Sequence, residues 1–433
     1  MNIITMDTFI SGLHNILFGF VFYYPMIMSW LWIFGGLFFY LRREARRPQL
    51  PTFEKVEGCS ILIPCFNEQE NVRETIRYAL ATRYPDYDVI AINDGSRDRT
   101  GEILDELARN EPRLRVVHLA TNQGKAIALR SGAISSQHEY LICIDGDALL
   151  HPDTVSWMMS HLTSGARVGA VTGNPRILNR STLLAKIQVG EFSSIIGLIK
   201  RAQRTYGRVF TVSGAIAGFR RTALHRIGYW SDDMITEDID ISWRLQMDFW
   251  DVRYEAEALC YLYMPETLRG LWKQRLRWAQ GGIEVLIRHS LDLFSWKQRR
   301  FWGVAIEYVL SVLWAYGMMS VLLLFILGFF IDLPDFWMVD RITPQWCGLL
   351  LGLTCLIQFI LSLWMDRRYE PGRILRNYFW VIWYPLLYWV LTMLTTVVAV
   401  PKTLLKKKGK RARWTSPDRG IHPHDIPQER EGS

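Results

Sequence analysis

Paired cysteines are missing from this chain. Its six cysteines, Cys59, Cys65, Cys143, Cys260, Cys347 and Cys355, never form a CxxC pair. They are expected to be reduced thiols in a cytosolic or membrane setting. The nine histidines form no HExxH zinc motif, and His422-Pro-His424 reads as a solvated loop. Internal repeats and low-complexity domains are also absent. The net charge is +8, but the basic excess gathers beside apolar segments and in the tail. That placement follows the positive-inside rule and excludes a nucleic-acid polymer as the expected partner. The first apolar run has no short h-region with a small-residue cleavage site. It therefore reads as an anchor, not a removed signal peptide.

What is present is apolar and aromatic: half of the 433 residues are hydrophobic and 18 are tryptophan. Trp concentrates at bilayer interfaces. Residues 16–41 form an uncharged run followed by Arg42, Arg43, Arg46 and Arg47. About 20 apolar residues cross a bilayer, so the run is expected to span, with its N-terminus outside. Three further apolar segments lie at 302–331, 346–365 and 378–400. Asp332, Asp335 and Asp340 put the first connection outside; Arg367, Arg368, Arg373 and Arg376 put the second inside. A third full crossing would leave the tail outside, whereas Lys406, Lys407, Lys408, Lys410, Arg411 and Arg413 argue for inside. Pro385 would allow a re-entrant hairpin, so both arrangements stand.

Between the first anchor and the last three segments the pattern alternates. Short apolar runs at 60–63, 88–92, 114–119, 141–144 and 168–172 read as buried strands, separated by helices of about ten residues. Such alternation predicts a mostly parallel crossover sheet. Residues 209–219 and 254–263 read as further strands. Residues 181–206 read as an amphipathic helix, either in the core or on the membrane surface. The expected division is an anchor at 1–47, an α/β domain at 48–265, an interface helix at 266–300, apolar segments at 301–400 and a basic tail at 401–433.

Tyr140-Leu-Ile-Cys-Ile-Asp145-Gly-Asp147 organises the rest. The apolar strand delivers two carboxylates to its carboxyl end, where open α/β sheets place ligands. Carboxylates at i and i+2 suit a hard cation, Mg²⁺ or Mn²⁺, that also binds a diphosphate. Asp-Gly is also ordinary turn chemistry.

Four motifs stand in one order: Asn93-Asp94-Gly95-Ser96, Asp145-Gly146-Asp147, Thr236-Glu237-Asp238 and Gln274-Arg275-Leu276-Arg277-Trp278. With the apolar segments, this order resembles the processive family-2 glycosyltransferases that build cellulose, chitin and hyaluronan. The phrases around Thr236-Glu-Asp238, Gln274 to Trp278 and Arg411 to Gly420 resemble more narrowly the bacterial enzymes of biofilm poly-β-1,6-N-acetylglucosamine. The resemblance implies a GT-A-type, Rossmann-like cytosolic domain embedded in a helical transmembrane bundle of the bacterial inner membrane. It implies UDP-GlcNAc as donor, a growing polysaccharide as acceptor, and contact with membrane lipid. A small second membrane subunit and cyclic di-GMP at the subunit contact are implied too.

The resemblance also assigns roles. Asp238 is the base that deprotonates the acceptor hydroxyl; Glu237 and Asp238 would otherwise only favour a helix N-terminus. Asp147 holds the cation with Asp145, which also lies near the nucleotide. Asp94 meets the uracil, flanked by Phe66, Glu68 and Lys125. Gln274 and Arg277 join the donor site, since a guanidinium fork matches phosphate oxygens; headgroup contact is the other reading of Arg277. Trp278, Glu237 and Ser213 face the acceptor, although Trp278 also suits an interfacial anchor and Ser213-Gly214 a close-packed strand end. Transfer of one sugar to a lipid carrier, and synthesis of another β-glycan, are the rival activities.

Overall fold

The structure is a computed structural model. It describes residues 3–46, 49–334, 337–339, 345–370, 374–381, 384, 388–406 and 411. Pro385 and the tail beyond Lys406, apart from Arg411, lie outside the described residues.

Helix α1 (Ile3–Phe39) leads into the α/β unit. There β1 (Cys59–Cys65), α2 (Val72–Leu80), β2 (Tyr87–Asp94), α3 (Thr100–Asn110), β3 (Leu114–Leu119), α4 (Lys125–Ser135) and β4 (Tyr140–Ile144) alternate. Next come β5 (Leu149–Leu150), α5 (Thr154–Thr163) and β6 (Val168–Ile177). Helices α6 (Leu183–Glu191) and α7 (Ile199–Tyr206) flank a π-helical turn, Phe192–Leu198. Strand β7 (Ile216–Arg220), α8 (Arg221–Arg226), α9 (Glu237–Met247) and β8 (Asp251–Leu262) complete the unit. Then follow α10 (Leu268–Leu293), α11 (Trp302–Leu327), α12 (Gln345–Asp366), α13 (Tyr378–Val381) and α14 (Val390–Leu404).

The strands form one eight-stranded sheet in the order β3-β2-β1-β4-β7-β6-β8-β5. Strands β1 to β4 pair in parallel, as near-continuous apolar runs buried on both faces should. The other half is mixed: β7 runs antiparallel to β4 and β6, while β6 and β8 are parallel. Because β2 and β4 flank β1, Asp94 and Asp145 emerge at the same sheet edge.

The strand expected at 209–219 is shorter. Its first residues satisfy their N–H groups with side chains: Val209 on Gln246, Val212 on Ser242 and Ser213 on Thr172. These bonds shape a loop, and pairing starts only at Ile216. Residues 181–206 do not lie as one surface helix either. Glu191, Lys200 and Arg201 on their polar side are buried. Packing between the sheet and the apolar helices turns that side inward, where Glu191 and Arg201 meet opposite charges and Lys200 meets the Thr172 hydroxyl.

Among the described residues three helices are long and apolar enough to cross a membrane: His14–Glu44, Trp302–Leu327 and Gly348–Asp366. The fourth apolar segment contributes α13 and the 15-residue α14, short of the ~20 residues a crossing requires. Beyond α14, Lys406 pairs with Glu284 of α10 at 2.5 Å, and Arg411 pairs with Asp232 at 3.2 Å. The end of α14 therefore meets the α/β unit, as do the ends of α1 and α12.

A buried charge cluster makes that junction. Arg176 of β6 pairs with Asp366 at 2.6 Å and with Glu370. Arg201 of α7 pairs with Glu44 at 2.8 Å and with Asp366 at 2.8 Å. The rings of Tyr254 and Tyr369 flank its guanidinium. Sheet, α7, α1 and α12 are thus tied through one acid, Asp366.

Candidate active site

The site begins where β4 ends. Gly146 turns against the end of β1, where a Cβ would stand 2.8 Å from the Pro64 carbonyl oxygen. This close approach swings Asp145 and Asp147 over the sheet edge. Asp145 meets the Lys125 ammonium at 2.5 Å. Lys125 opens α4, and the loop before it is held by Asp94. The Gln123 and Gly124 N–H groups each donate to the Asp94 carboxylate at 2.8 Å. Asp94 is fully buried, and burial pushes its carboxyl up against those two bonds. It presents Lys125 to the site.

Glu237 and Asp238 start α9 after extended Thr236, whose hydroxyl makes no capping bond. Helix α10 packs so closely here that a side chain at Gly281 would collide with Thr236. Lys125 reaches Glu237 at 3.1 Å and donates to the Gly214 carbonyl at 3.1 Å. One ammonium thus joins the Asp-Gly-Asp turn, the loop between α7 and β7 and the first turn of α9.

Electrostatics separate the two adjacent carboxylates. Burial and the charge of Glu237 push Asp238 up to about 6, with Lys125 opposing. Burial raises Glu237 too, but Lys125, a backbone hydrogen bond and Arg277 together hold it below its ordinary value. Glu237 is therefore the ionised partner of Lys125. Asp238 is the carboxylate poised to take a proton near neutrality, and such pairs with separated affinities divide acid–base work. Burial likewise raises the Asp145 carboxyl despite Lys125.

The last motif arrives on α10. Arg277 has no ion pair among the described residues, but its charge acts on Glu237 and Asp238. Trp278 is half-buried against Ile177, Phe192 and Met264. The Arg275 guanidinium lies 4.3 Å from its ring centre and pairs with Glu191 at 2.7 Å. Gln274 has its side-chain oxygen buried without a hydrogen-bond partner among the described residues.

One cavity of about 960 Å³ gathers these groups. Glu68, Lys125, Asp145, Asp147, Ser213, Glu237, Asp238, Gln274, Arg277 and Trp278 line it. Phe66 and Asp94 lie off its wall. The cavity continues between the apolar helices, past Trp314 of α11 and Trp389. Lys200, Glu191, Arg275 and Glu307 also face it, and sequence reasoning gave none of them a role. Glu191 and Glu307 carried a signal, each an acid in a mostly apolar stretch, whereas Lys200 and Arg275 stand among other polar residues and carried none.

Among the described residues no group of three His, Cys, Asp or Glu could hold a metal ion by itself. Two carboxylates over a cavity still suit a hard cation that takes its other oxygens from a diphosphate and water.

The profile of Glycosyl transferase family 2 matches residues 60–228. A poly-beta-1,6-N-acetyl-D-glucosamine synthase from Staphylococcus epidermidis is 39% identical over 408 residues, 93% of this chain and 98% of the relative. The synthase from Staphylococcus aureus (strain COL) matches at 39% with the same coverage. Among solved structures, a mannosyltransferase from Pyrobaculum calidifontis in complex with GDP-Man and Mn²⁺ superimposes with a TM-score of 0.61. That match covers 92% of this chain and all of the other at 17% identity, a likeness of fold alone.

Proposed function

The chain belongs to glycosyl transferase family 2, and on that premise we propose that it polymerises N-acetylglucosamine from UDP-GlcNAc into β-1,6-linked poly-N-acetylglucosamine and exports it. The observation that carries this reading is the continuous cavity from Asp145, Asp147 and Asp238, past Trp278, into the space between α1, α11, α12 and α14. Transfer of one sugar at a time onto a lipid carrier is the rival reading, and the Gln274 to Trp278 signature argues against it.

The acceptor hydroxyl gives its proton to Asp238 as its oxygen bonds to the anomeric carbon. The bond from that carbon to the diphosphate breaks, and UDP leaves with the electron pair. Arg277 offers a planar fork to the phosphate oxygens. Lys125 keeps Glu237 ionised beside the reacting carbon, which develops positive charge. Trp278 offers a face on which the chain's terminal sugar stacks. Displacement in one step inverts the anomer, so an α-linked donor yields a β-linked product. A Mg²⁺ or Mn²⁺ at Asp147 and Asp145 would supply Lewis-acid stabilisation of the leaving diphosphate. The Mn²⁺ in the mannosyltransferase structure supports a cation of this class.

The reading places the protein in a bacterial cytoplasmic membrane with its N-terminus outside and the α/β domain in the cytosol. The contacts of Lys406 and Arg411 with the α/β unit favour a cytosolic tail and a last apolar segment that does not cross. Three long spans are few for the wall of a polysaccharide conduit, which favours a small membrane subunit. The resemblance extends to cyclic di-GMP at that contact.

Proteoliposomes holding the chain and any required subunit should accumulate β-1,6-linked polymer in the lumen when UDP-GlcNAc is added outside. Polymer found only outside, or a product one sugar longer than its acceptor, would refute the reading. Asp147→Ala should slow UDP release about 10²–10³-fold, the usual loss for one preorganised electrostatic stabiliser. It should also flatten the dependence of rate on added Mn²⁺. An unchanged Mn²⁺ titration would remove Asp147 from the cation site.

A further inference from the structure

The interface helix α7 carries an ammonium that the chemistry above does not use. Lys200 is 6% exposed and lines the cavity that holds Asp238. Among the described residues no carboxylate lies within ion-pair distance of it. Its hydrogen bond goes to the Thr172 hydroxyl at 3.1 Å, an oxygen that also accepts from the Ser213 N–H at 2.8 Å. An ammonium has three donors, and a buried donor left unmet is costly. Burial has lowered Lys200 to about 8, with Asp238 opposing.

Its neighbours extend the same wall. Gln203, one turn on, holds both Glu307 carboxylate oxygens at 3.3 Å, and the Trp32 indole donates to Glu307 at 3.1 Å. Lys200, Gln203, Glu307 and Trp32 all face the cavity. A cation, an amide, a carboxylate and an indole side by side suit a neutral ligand rich in hydroxyl and carbonyl oxygens.

We propose that Lys200 is an acceptor-recognition residue: its ammonium donates to an oxygen of the terminal acceptor sugar and holds that sugar's attacking hydroxyl toward Asp238. The Gln203–Glu307–Trp32 wall then receives the next sugar. This assignment rests on the proposed function. The diphosphate is the competing ligand for an ammonium, but the groups suited to it, Lys125, Asp147 and Arg277, come from other elements. Lys200 instead stands beside Ser213, on the loop that leads to β7.

The test uses the full chain in lipid nanodiscs with Mn²⁺, UDP-GlcNAc as donor and a short β-1,6-linked GlcNAc oligomer as acceptor. Lys200→Met should raise the acceptor KM about 10–100-fold, the loss expected for a hydrogen bond from a charged group. The donor KM should stay within about twofold, which also shows that the variant is folded. Lys200→Gln, which keeps an N–H donor, should recover part of the acceptor affinity. An unchanged acceptor KM, or a donor KM that rises instead or in parallel, would overturn the assignment. Wild-type protein that neither releases UDP from UDP-GlcNAc nor extends the oligomer would instead overturn the proposed function, and this assignment with it.

Discussion

Asp238→Asn should abolish polymer synthesis while leaving UDP-GlcNAc binding intact. Loss of a general base costs about 10²–10⁴-fold in rate. The amide has nearly the same shape, and Lys125 still has Asp145 and Glu237, so the fold of the site should survive. The wild-type pH profile supplies a second reading of the same group. Burial and Glu237 have pushed Asp238 up to about 6, so its proton-accepting form prevails above that pH and is lost below it. Turnover should therefore fall roughly tenfold per unit as the pH drops well below 6, and level off above it. The remaining activity of Asp238→Asn should lack that acidic limb. A variant that makes polymer at near wild-type rates would remove Asp238 as the base.

Asp366→Ala should be the most damaging change away from the site. Asp366 is fully buried and answers two buried guanidinium groups, Arg176 and Arg201. Removing one partner of a buried pair costs about 3–5 kcal/mol, because the opposite charge is left uncompensated. Thermal unfolding in detergent should show a markedly lowered midpoint and loss of the sheet ahead of the apolar helices. Arg201→Met alone should be destabilising for the same reason, since it strands Glu44. A midpoint within a degree or two of wild type would mean that the cluster does not bear on stability. The consequence for function is mechanical: β6, α7, α1 and α12 meet at this acid, so cavity and helices are held in one register.

Much of the α/β unit was legible in the chain. Strands β1 to β4 stand within a residue or two of their apolar runs. Those elements depend on local apolar runs buried on both faces. The loop at 209–213 was not legible, because its backbone donors are satisfied by Gln246, Ser242 and Thr172 from distant segments. The burial of Lys200 and Arg201 was hidden for a similar reason. An amphipathic pattern shows that two faces differ, but not that the polar one meets buried acids at Arg201 and a buried hydroxyl at Lys200.

The order of motifs along the chain determined the family and the carboxylates on offer, since each is a property of neighbouring residues. Tertiary structure alone decided that Lys125 stands between Asp145 and Glu237, that Asp94 holds a loop, and that Lys406 beyond α14 pairs with Glu284 of α10. Proton affinity and ion pairing depend on distances across the fold. Only packing brings residues 125, 145 and 237 within reach of one ammonium.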